Sequence, residues 1–249
     1  MSSKFQFLLN PIQAAVRGFF RSCGYDISKS ATISPDDLAI IQQVKQFTGT
    51  SNERISGLIE AIKYLSRNQI EGDMVECGVW RGGSMMAAML ALRQLGDTSR
   101  DFYLFDTFEG MTTPTEKDVM HDGTKAAEVL NHSKAYRCIA GLEDVKRNVY
   151  STGYPKEKIH FVKGRVEDTV PQFAPQKISL LRLDTDWYES TKHELLFLYP
   201  RLIAKGILII DDYGHWQGSR AAVDEYFLEQ AFRPFLSKMD FTGRVIVKP

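Results

Sequence analysis

The chain passes from a short apolar strand through a glycine-rich turn into a helix at Met74-Val75-Glu76-Cys77-Gly78-Val79-Trp80-Arg81-Gly82-Gly83-Ser84. From there to the C-terminus, short apolar runs alternate with helical stretches, and the runs lack clean polar alternation. Such runs are typical of strands buried on both faces, and their alternation with helices predicts a doubly wound, mostly parallel sheet. The predicted strands are Met74–Val79, Phe102–Phe105, Ile159–Val162, Ile178–Leu183, Gly206–Ile210 and Gly243–Lys248.

Helices are predicted between these strands and before the first of them. Ser34 followed by Pro35 is typical of a helix N-terminus, and a second early helix is expected from Ser51 or Asn52 to about Arg67. We therefore divide the chain into an N-terminal helical extension, 1–70, and an α/β domain, 71–249. Within that domain, 111–140 is polar and weakly periodic, so it is either a lid or a surface insertion. The later helices are expected near Ser84–Leu95, with Ser84 as a possible cap, and near Gly141–Ser151, Tyr188–Ala204 and Ser219–Glu229.

The composition excludes several classes of protein. The chain has 249 residues, 43% of them apolar, with 31 Lys and Arg against 31 Asp and Glu. These values exclude a disordered chain and a disulfide scaffold, and a net charge of zero argues against a general nucleic-acid binder. The cysteines Cys23, Cys77 and Cys138 form no metal-binding motif and fit free thiols in a reducing compartment. No apolar run is long enough to span a bilayer, and no signal peptide is evident, so we expect a cytoplasmic protein.

The first 30 residues form a distinct apolar and basic arm. Apolar side chains recur there at helical spacing among Lys4, Arg17 and Arg21, and no acid occurs before Asp26. The arm could lie on an anionic membrane surface. The alternative, which we favour, is that it packs on its own domain or across a subunit interface, so a homodimer or higher homo-oligomer is expected.

The ends of the first two strands indicate a nucleoside-bearing cofactor, because ligands of open α/β sheets bind at the carboxyl ends of the strands. The glycines after Cys77 let the backbone approach a ligand closely, and Glu76 could accept a hydrogen bond from a cationic amine. Asp106 ends the second strand, where an acid can bind ribose hydroxyls, although it could instead cap a helix. The turn is neither a dinucleotide fingerprint nor a phosphate-binding loop. S-adenosylmethionine fits, since it has a ribose and a cationic amine but no phosphate.

Two acidic pairs follow the fourth and fifth strands. Asp184 and Asp186 follow one, and Asp211 and Asp212 follow the next. Clustered carboxylates repel one another unless a cation neutralises them, and oxygen ligands favour a hard cation such as Mg²⁺. On a regular strand Asp184 and Asp186 would share a face. The alternative is that each pair caps the helical stretch that follows it.

Four aromatic residues beside these acids are candidates for contact with a bound substrate. His215 and Trp216 directly follow the second acidic pair. Trp187 and Tyr188 follow the first pair and could present an apolar face to a sugar ring, or could pack in the core instead.

At these motifs the sequence resembles the macrocin O-methyltransferase (TylF/MycF) family, whose members use S-adenosylmethionine and Mg²⁺ to methylate sugar hydroxyls, notably on glycosylated natural products. The resemblance implies a Rossmann-like class I methyltransferase fold with a seven-stranded sheet, helices on both faces and a last antiparallel strand. It extends from about Met74 to Asp212, and less firmly to the C-terminus. It rests on VECGVWRGGS, LFDTFEGM, FVKGRVEDTVP, LLRLDTDWYEST and LIIDDYGHWQG.

The resemblance also implies roles for single residues. Asp184, Asp211 and Asp212 match the family's metal ligands, and Asp186 matches its general base. The implied cofactor site consists of Glu76, Cys77, Gly78, Val79, Gly82 and Ser84 around the methionine part, Asp106 at the ribose with Thr107, Phe108 and Gly110 beside it in the same motif, and Arg165 and Val166 near the adenine.

The expected function is therefore methylation of a hydroxyl on a small-molecule sugar or glycoside. An alternative within the same chemistry is a catechol or another vicinal diol, because it could chelate the same metal. A non-catalytic nucleoside-binding module is a further alternative, and the complete set of acids argues against it. A dehydrogenase is disfavoured by the missing dinucleotide fingerprint.

Overall fold

The computed structural model describes residues 33–133 and 135–249, together with residues 15, 16, 18, 19, 22 and 23. The six described residues of the N-terminal arm are helical except Cys23, and the membrane or subunit contacts expected of the arm lie outside the described residues. Residues Asp36–Pro249 form one compact unit. None of the helices in the described ranges is both long and apolar enough to cross a bilayer.

The compact unit is built on a seven-stranded, mostly parallel sheet, as predicted. The strand order is β3-β2-β1-β4-β5-β7-β6, and β7 runs antiparallel to both of its neighbours. All other pairings are parallel. The strands are β1 (Asp73–Cys77), β2 (Phe102–Asp106), β3 (Ile159–Lys163), β4 (Ile178–Leu183), β5 (Leu202–Ile210), β6 (Ser237–Lys238) and β7 (Arg244–Val247).

Eight α-helices lie within the described ranges from Pro35 onward, and six of them pack in two groups. One group contains α2, α3 and α5, and the other contains α6, α7 and α8. The helix expected to start at Ser51 or Asn52 starts at Asn52, and Ser51 caps it by accepting a hydrogen bond from the backbone N–H of Arg54. The helices are α1 (Pro35–Val44), α2 (Asn52–Arg67), α3 (Gly83–Gln94), α4 (Ala126–His132), α5 (Leu142–Tyr150), α6 (Val166–Thr169), α7 (Tyr188–Leu198) and α8 (Gln217–Glu229).

Some predictions about the ends of helices and strands were wrong. The helix expected to reach Ala204 ends at Leu198, because Pro200 cannot continue it and lies in a short 3₁₀ helix, Tyr199–Arg201. The strand β5 then begins at Leu202 instead of Gly206. Ser84 does not cap α3: the cap is Gly82, whose φ of +91° suits glycine. The two-residue strand β6 is missing from the prediction, since so short a run carries no pattern.

The strand register brings three chain segments to one level at the carboxyl edge of the sheet. Cys77, the last residue of β1, pairs with Leu183 of β4, and Leu183 pairs with Ile210 of β5. The ladder continues one residue further, since the N–H of Asp184 donates to the carbonyl of Cys77 at 2.8 Å and the N–H of Asp211 donates to Leu183 at 2.9 Å. The glycine-rich turn and both acidic pairs therefore begin side by side.

Candidate active site

A cavity of about 480 Å³ opens at this edge of the sheet. Its volume lies within the usual range for small-molecule sites, about 300–1,000 Å³. The turns after β1, β2, β3, β4 and β5 all contribute to its wall, together with the loop that precedes α2 and the segment around Tyr136 and Cys138. The carboxyl edge thus carries a site of the kind expected for this class of sheet.

The glycine-rich turn lines one end of the cavity through Gly78, Val79 and Ser84. Gly78 has a φ of +84°, and a Cβ there would collide with the carbonyl oxygen of Asp184. Any side chain at this position would therefore push apart the ends of β1 and β4. Gly82 does not line the cavity; it is the N-cap of α3, and a Cβ there would press against the side chain of Val149.

Asp106 lines the cavity and also holds the glycine-rich turn in place. Its Oδ2 accepts hydrogen bonds from the N–H groups of Val79 (2.6 Å) and Trp80 (2.9 Å), and its Oδ1 accepts from Phe108 (2.7 Å). The Thr107 hydroxyl also donates to Oδ1, at 3.4 Å, so the roughly four acceptor positions of the carboxylate are all in use, and a ligand hydroxyl would replace this longest bond. Asp106 thus anchors the turn and caps none of the described helices, so the alternative of a helix cap was wrong, and its contact with a ribose stays a prediction.

The remaining predicted cofactor residues divide between the wall and the core. Thr107 and Gly110 line the cavity, whereas Phe108 is buried behind them. Arg165 and Val166, at the N-terminus of α6, form another part of the wall.

Glu76 and Cys77 lie beneath the turn and not on the cavity wall. Glu76 is directly opposite Arg182 in the β1–β4 register, and its Oε1 accepts a 2.6 Å hydrogen bond from that guanidinium. Its Oε2 is buried and has no hydrogen-bond partner among the residues that the structure describes. Burial raises the pKa of Glu76 to about 7, although Arg182 acts in the opposite direction.

The acids after β4 and β5 converge on the same cavity. Asp184, Asp211 and Asp212 each offer a carboxylate oxygen, and these three oxygens lie within 4.8 Å of one another. Oxygens bound to one Mg²⁺ at about 2.1 Å are at most about 4.2 Å apart, so small side-chain adjustments complete the set. Hard carboxylate oxygens are the ligands that this ion prefers, and the three residues fit it.

The charges of this acidic cluster are only partly compensated. Burial, together with repulsion from neighbouring acids, raises the pKa values of Asp184 and Asp212 well above the ordinary range. Both shifts mean that it costs free energy to ionise all the acids of the cluster together. A bound divalent cation would lower that cost.

Asp186 lies beside the three clustered acids, in a turn instead of a strand. β4 ends at Leu183, and Asp186 has a φ of +67°, so the expectation that it extends a regular strand was wrong. It still lines the cavity, and Trp216 Nε1 donates a 2.6 Å hydrogen bond to its Oδ1. Burial, followed by repulsion from Asp184, raises the pKa of Asp186 to about 8. A fixed carboxylate of raised proton affinity is suited to accept a proton from a ligand.

Two cations of the site were missing from the sequence prediction. Arg182, with a side chain 2% exposed, donates to Glu76, Asp184 and Asp211 at 2.5–2.7 Å. Arg54 reaches Asp211 from α2 and also pairs with Asp240. The signal for Arg182 was present, because an arginine inside the apolar run LLRLD has to be paired when that strand is buried.

Of the four aromatic candidates for acceptor contact, only His215 lines the cavity. Trp187, Tyr188 and Trp216 are each 2–3% exposed and do not reach the wall. Their polar atoms anchor other segments: Trp187 Nε1 donates to the carbonyl of Thr112, and Tyr188 Oη donates to Glu225. These three residues therefore support the segments around the cavity and do not line it themselves.

The 111–140 segment contributes directly to the site. Met111, Thr112, Tyr136 and Cys138 line the cavity. The segment contains α4 and is attached to the acidic edge by a bridge between Met120 and Trp216.

Comparison with known proteins gives consistent results. The family model described as macrocin-O-methyltransferase (TylF) matches residues 40–248. The 8-demethyl-8-(2,3-dimethoxy-alpha-L-rhamnosyl)-tetracenomycin-C 4'-O-methyltransferase of Streptomyces olivaceus is 34% identical over 191 residues, which are 77% of this chain and 71% of that protein. The mycinamicin III 3''-O-methyltransferase of Micromonospora griseorubida is 31% identical over 174 residues, 70% of this chain and 67% of that protein. The solved structure of the O-methyltransferase NovP matches with a TM-score of 0.72 and 28% identity, covering 81% of this chain and 82% of that one.

Proposed function

The chain belongs to the macrocin O-methyltransferase family of S-adenosylmethionine-dependent enzymes, and from this we propose that it methylates a sugar hydroxyl with the help of Mg²⁺. The acceptor is a small glycosylated compound. The observation that carries the metal-dependent part is the convergence of the Asp184, Asp211 and Asp212 oxygens within 4.8 Å of one another, with Asp186 beside them. The named substrates of the relatives support a sugar over other acceptors, since one acts on a rhamnosyl tetracenomycin.

Each part of the site has a role in this proposal. S-adenosylmethionine supplies the methyl group, held between the glycine-rich turn, Asp106 and the Arg165–Val166 wall. Asp184, Asp211 and Asp212 hold Mg²⁺, which when bound supplies Lewis-acid activation of the acceptor hydroxyl. His215 and Tyr136, which also line the cavity, border the acceptor.

Asp186 takes the proton of the acceptor hydroxyl as the general base. An ordinary aspartate is too weak a base for a free alcohol, so activation of the hydroxyl and close positioning have to supply most of the driving force. Trp216 fixes the Asp186 carboxylate through its 2.6 Å hydrogen bond, and the raised proton affinity of Asp186 assists the transfer.

A catechol-like diol is the second candidate acceptor, because a metal ion held by the same three carboxylates could bind any ligand with two adjacent oxygens. Product mass spectrometry with S-adenosylmethionine, Mg²⁺ and a matched panel of glycosides and catechols decides between them. We expect a mass gain of one methyl group on a glycoside, lost when EDTA removes the metal. Methylation of catechols alone would overturn the assignment of a sugar acceptor. Undiminished turnover in EDTA would overturn the proposed requirement for a metal ion.

A further inference from the structure

We infer that Arg182 is a positioning residue that couples the proposed metal site to the cofactor site, so that each ligand strengthens binding of the other. The inference rests on the proposed function, since it takes Asp184 and Asp211 as metal ligands and the glycine-rich turn as part of the cofactor site. Arg182 itself does not line the cavity, and it acts through the groups that it holds.

On the metal side, Arg182 fixes the direction in which two carboxylates point. Its Nη1 donates to Asp184 Oδ2 at 2.7 Å, and its Nη2 donates to Asp211 Oδ1 at 2.5 Å. The guanidinium is planar and rigid, so the two carboxylates are held at a fixed spacing. The other oxygen of Asp184, Oδ1, is left for a ligand. The other oxygen of Asp211, Oδ2, accepts a hydrogen bond from Arg54.

On the cofactor side, the same guanidinium holds the base of the glycine-rich turn. Nη1 also donates to Glu76 Oε1 at 2.6 Å, and Glu76 is two residues before Gly78 on the cavity wall. Nη2 reaches Thr50 Oγ1 at 3.2 Å, and Thr50 lies in the loop that forms another wall. One buried side chain therefore contacts three walls of the cavity.

This shared contact makes the two binding events cooperative. A ligand that orders the glycine-rich turn also orders Glu76 and Arg182, and hence the metal carboxylates, before the metal arrives. The second ligand then loses less conformational freedom on binding. By thermodynamic linkage the effect has to be equal in both directions.

Isothermal titration calorimetry on the full chain tests the coupling without any acceptor. We would measure the Kd of Mg²⁺ with and without saturating S-adenosylhomocysteine, and the Kd of S-adenosylhomocysteine with and without Mg²⁺. This ligand lacks the sulfonium charge, so direct repulsion from the metal is reduced. In the wild type we expect each ligand to tighten the other by about fivefold or more, the lower range of typical couplings.

Arg182→Lys is the decisive variant, because it keeps the positive charge and loses the rigid fork. We expect both ligands still to bind and the coupling between them to be lost. Glu76→Gln cuts only the charged contact on the cofactor side, and it provides the same test if Arg182→Lys does not fold. Wild-type coupling in whichever of these variants folds would overturn the inference.

Arg100→Lys is the matched control. Arg100 is also a buried arginine, but it bonds Gly72 and Ser179 at the opposite end of β1 and β4. We expect wild-type coupling in this variant, and an equal loss there would show that the effect is general loosening. Absence of Mg²⁺ binding in the wild type would overturn the proposed metal chemistry and the coupling together. Binding that is uncoupled in the wild type, or equally coupled in Arg182→Lys, would overturn the inference alone.

Discussion

The acidic residues at the two ends of the central sheet differ in how far nearby cations neutralise their charge. At the amino end, Asp97 pairs with Arg100, and Asp101 pairs with Lys158 at 3.1 Å and with His160 at 2.7 Å. At the carboxyl end five acids cluster, Glu76, Asp184, Asp186, Asp211 and Asp212. Within the described residues, Arg182 and Arg54 pair with three of them, Glu76, Asp184 and Asp211. One end is balanced locally, and the other carries excess negative charge.

The pKa shifts of these acids follow the difference, although burial raises the pKa of Asp73, which also lies at the amino end. Burial acts to raise the pKa of Asp101, but hydrogen bonds from His160 and Lys158 outweigh it and lower the value. Burial raises the pKa values of Asp184 and Asp212, and repulsion from neighbouring acids adds to the effect. Asp97 and Asp101 therefore stabilise the fold, whereas Asp184 and Asp212 cost stability unless a ligand such as the proposed cation neutralises them.

The largest expected effect comes from Asp186→Asn. The variant keeps the shape of the side chain and its contact with Trp216 but cannot take a proton. We expect kcat on the glycoside found by mass spectrometry to fall by roughly 10²–10⁴-fold, the usual contribution of a general base. Initial rates at saturating Mg²⁺ would measure it, with calorimetry to check that the metal still binds. Near-normal turnover with bound metal would exclude Asp186 as the base.

Asp212→Asn separates metal binding from stability. We expect the Kd of Mg²⁺ to rise by about 100-fold or more, since loss of even a residue that supports a metal ligand costs 10- to 100-fold. Removal of one buried, repelling carboxylate should also raise the thermal midpoint of the metal-free protein. Calorimetry and thermal unfolding in EDTA would measure the two effects. A lower midpoint together with unchanged metal affinity would mean that Asp212 only supports the fold.

Much of this carboxyl end could be predicted from the sequence. The strand pattern and the rule that parallel strands align their ends were enough to bring Asp184 and Asp211 together, and the structure places their oxygens within 4.8 Å. The glycine-rich turn was found in the same way.

The partners of these residues could not be predicted, because they depend on the register between distant strands. Glu76 and Arg182 are 106 residues apart in the chain, and only the β1–β4 alignment makes them neighbours. Aromatic residues posed a similar problem. Trp187 and Trp216 stand beside acids in the sequence, yet they pack together in a buried cluster with their ring centroids 5.0 Å apart. The direction of a side chain in an irregular turn follows no sequence period, so this packing could not be predicted.

The smallest effect, and the sharpest test of the contrast between the two ends, is expected from Asp101→Asn. Here the same Asp-to-Asn change removes the negative charge that pairs with both Lys158 and His160. The free energy of unfolding should therefore fall by about 0.5–1 kcal/mol, as for other partly exposed ion pairs. Urea unfolding would measure this loss. Turnover and the Kd of Mg²⁺ should stay at wild-type values, since Asp101 is at the far end of the sheet from the cavity. A gain in stability, matching that expected of Asp212→Asn, would mean that the cations near Asp101 do not compensate it. The distinction between balanced and unbalanced ends would then fail.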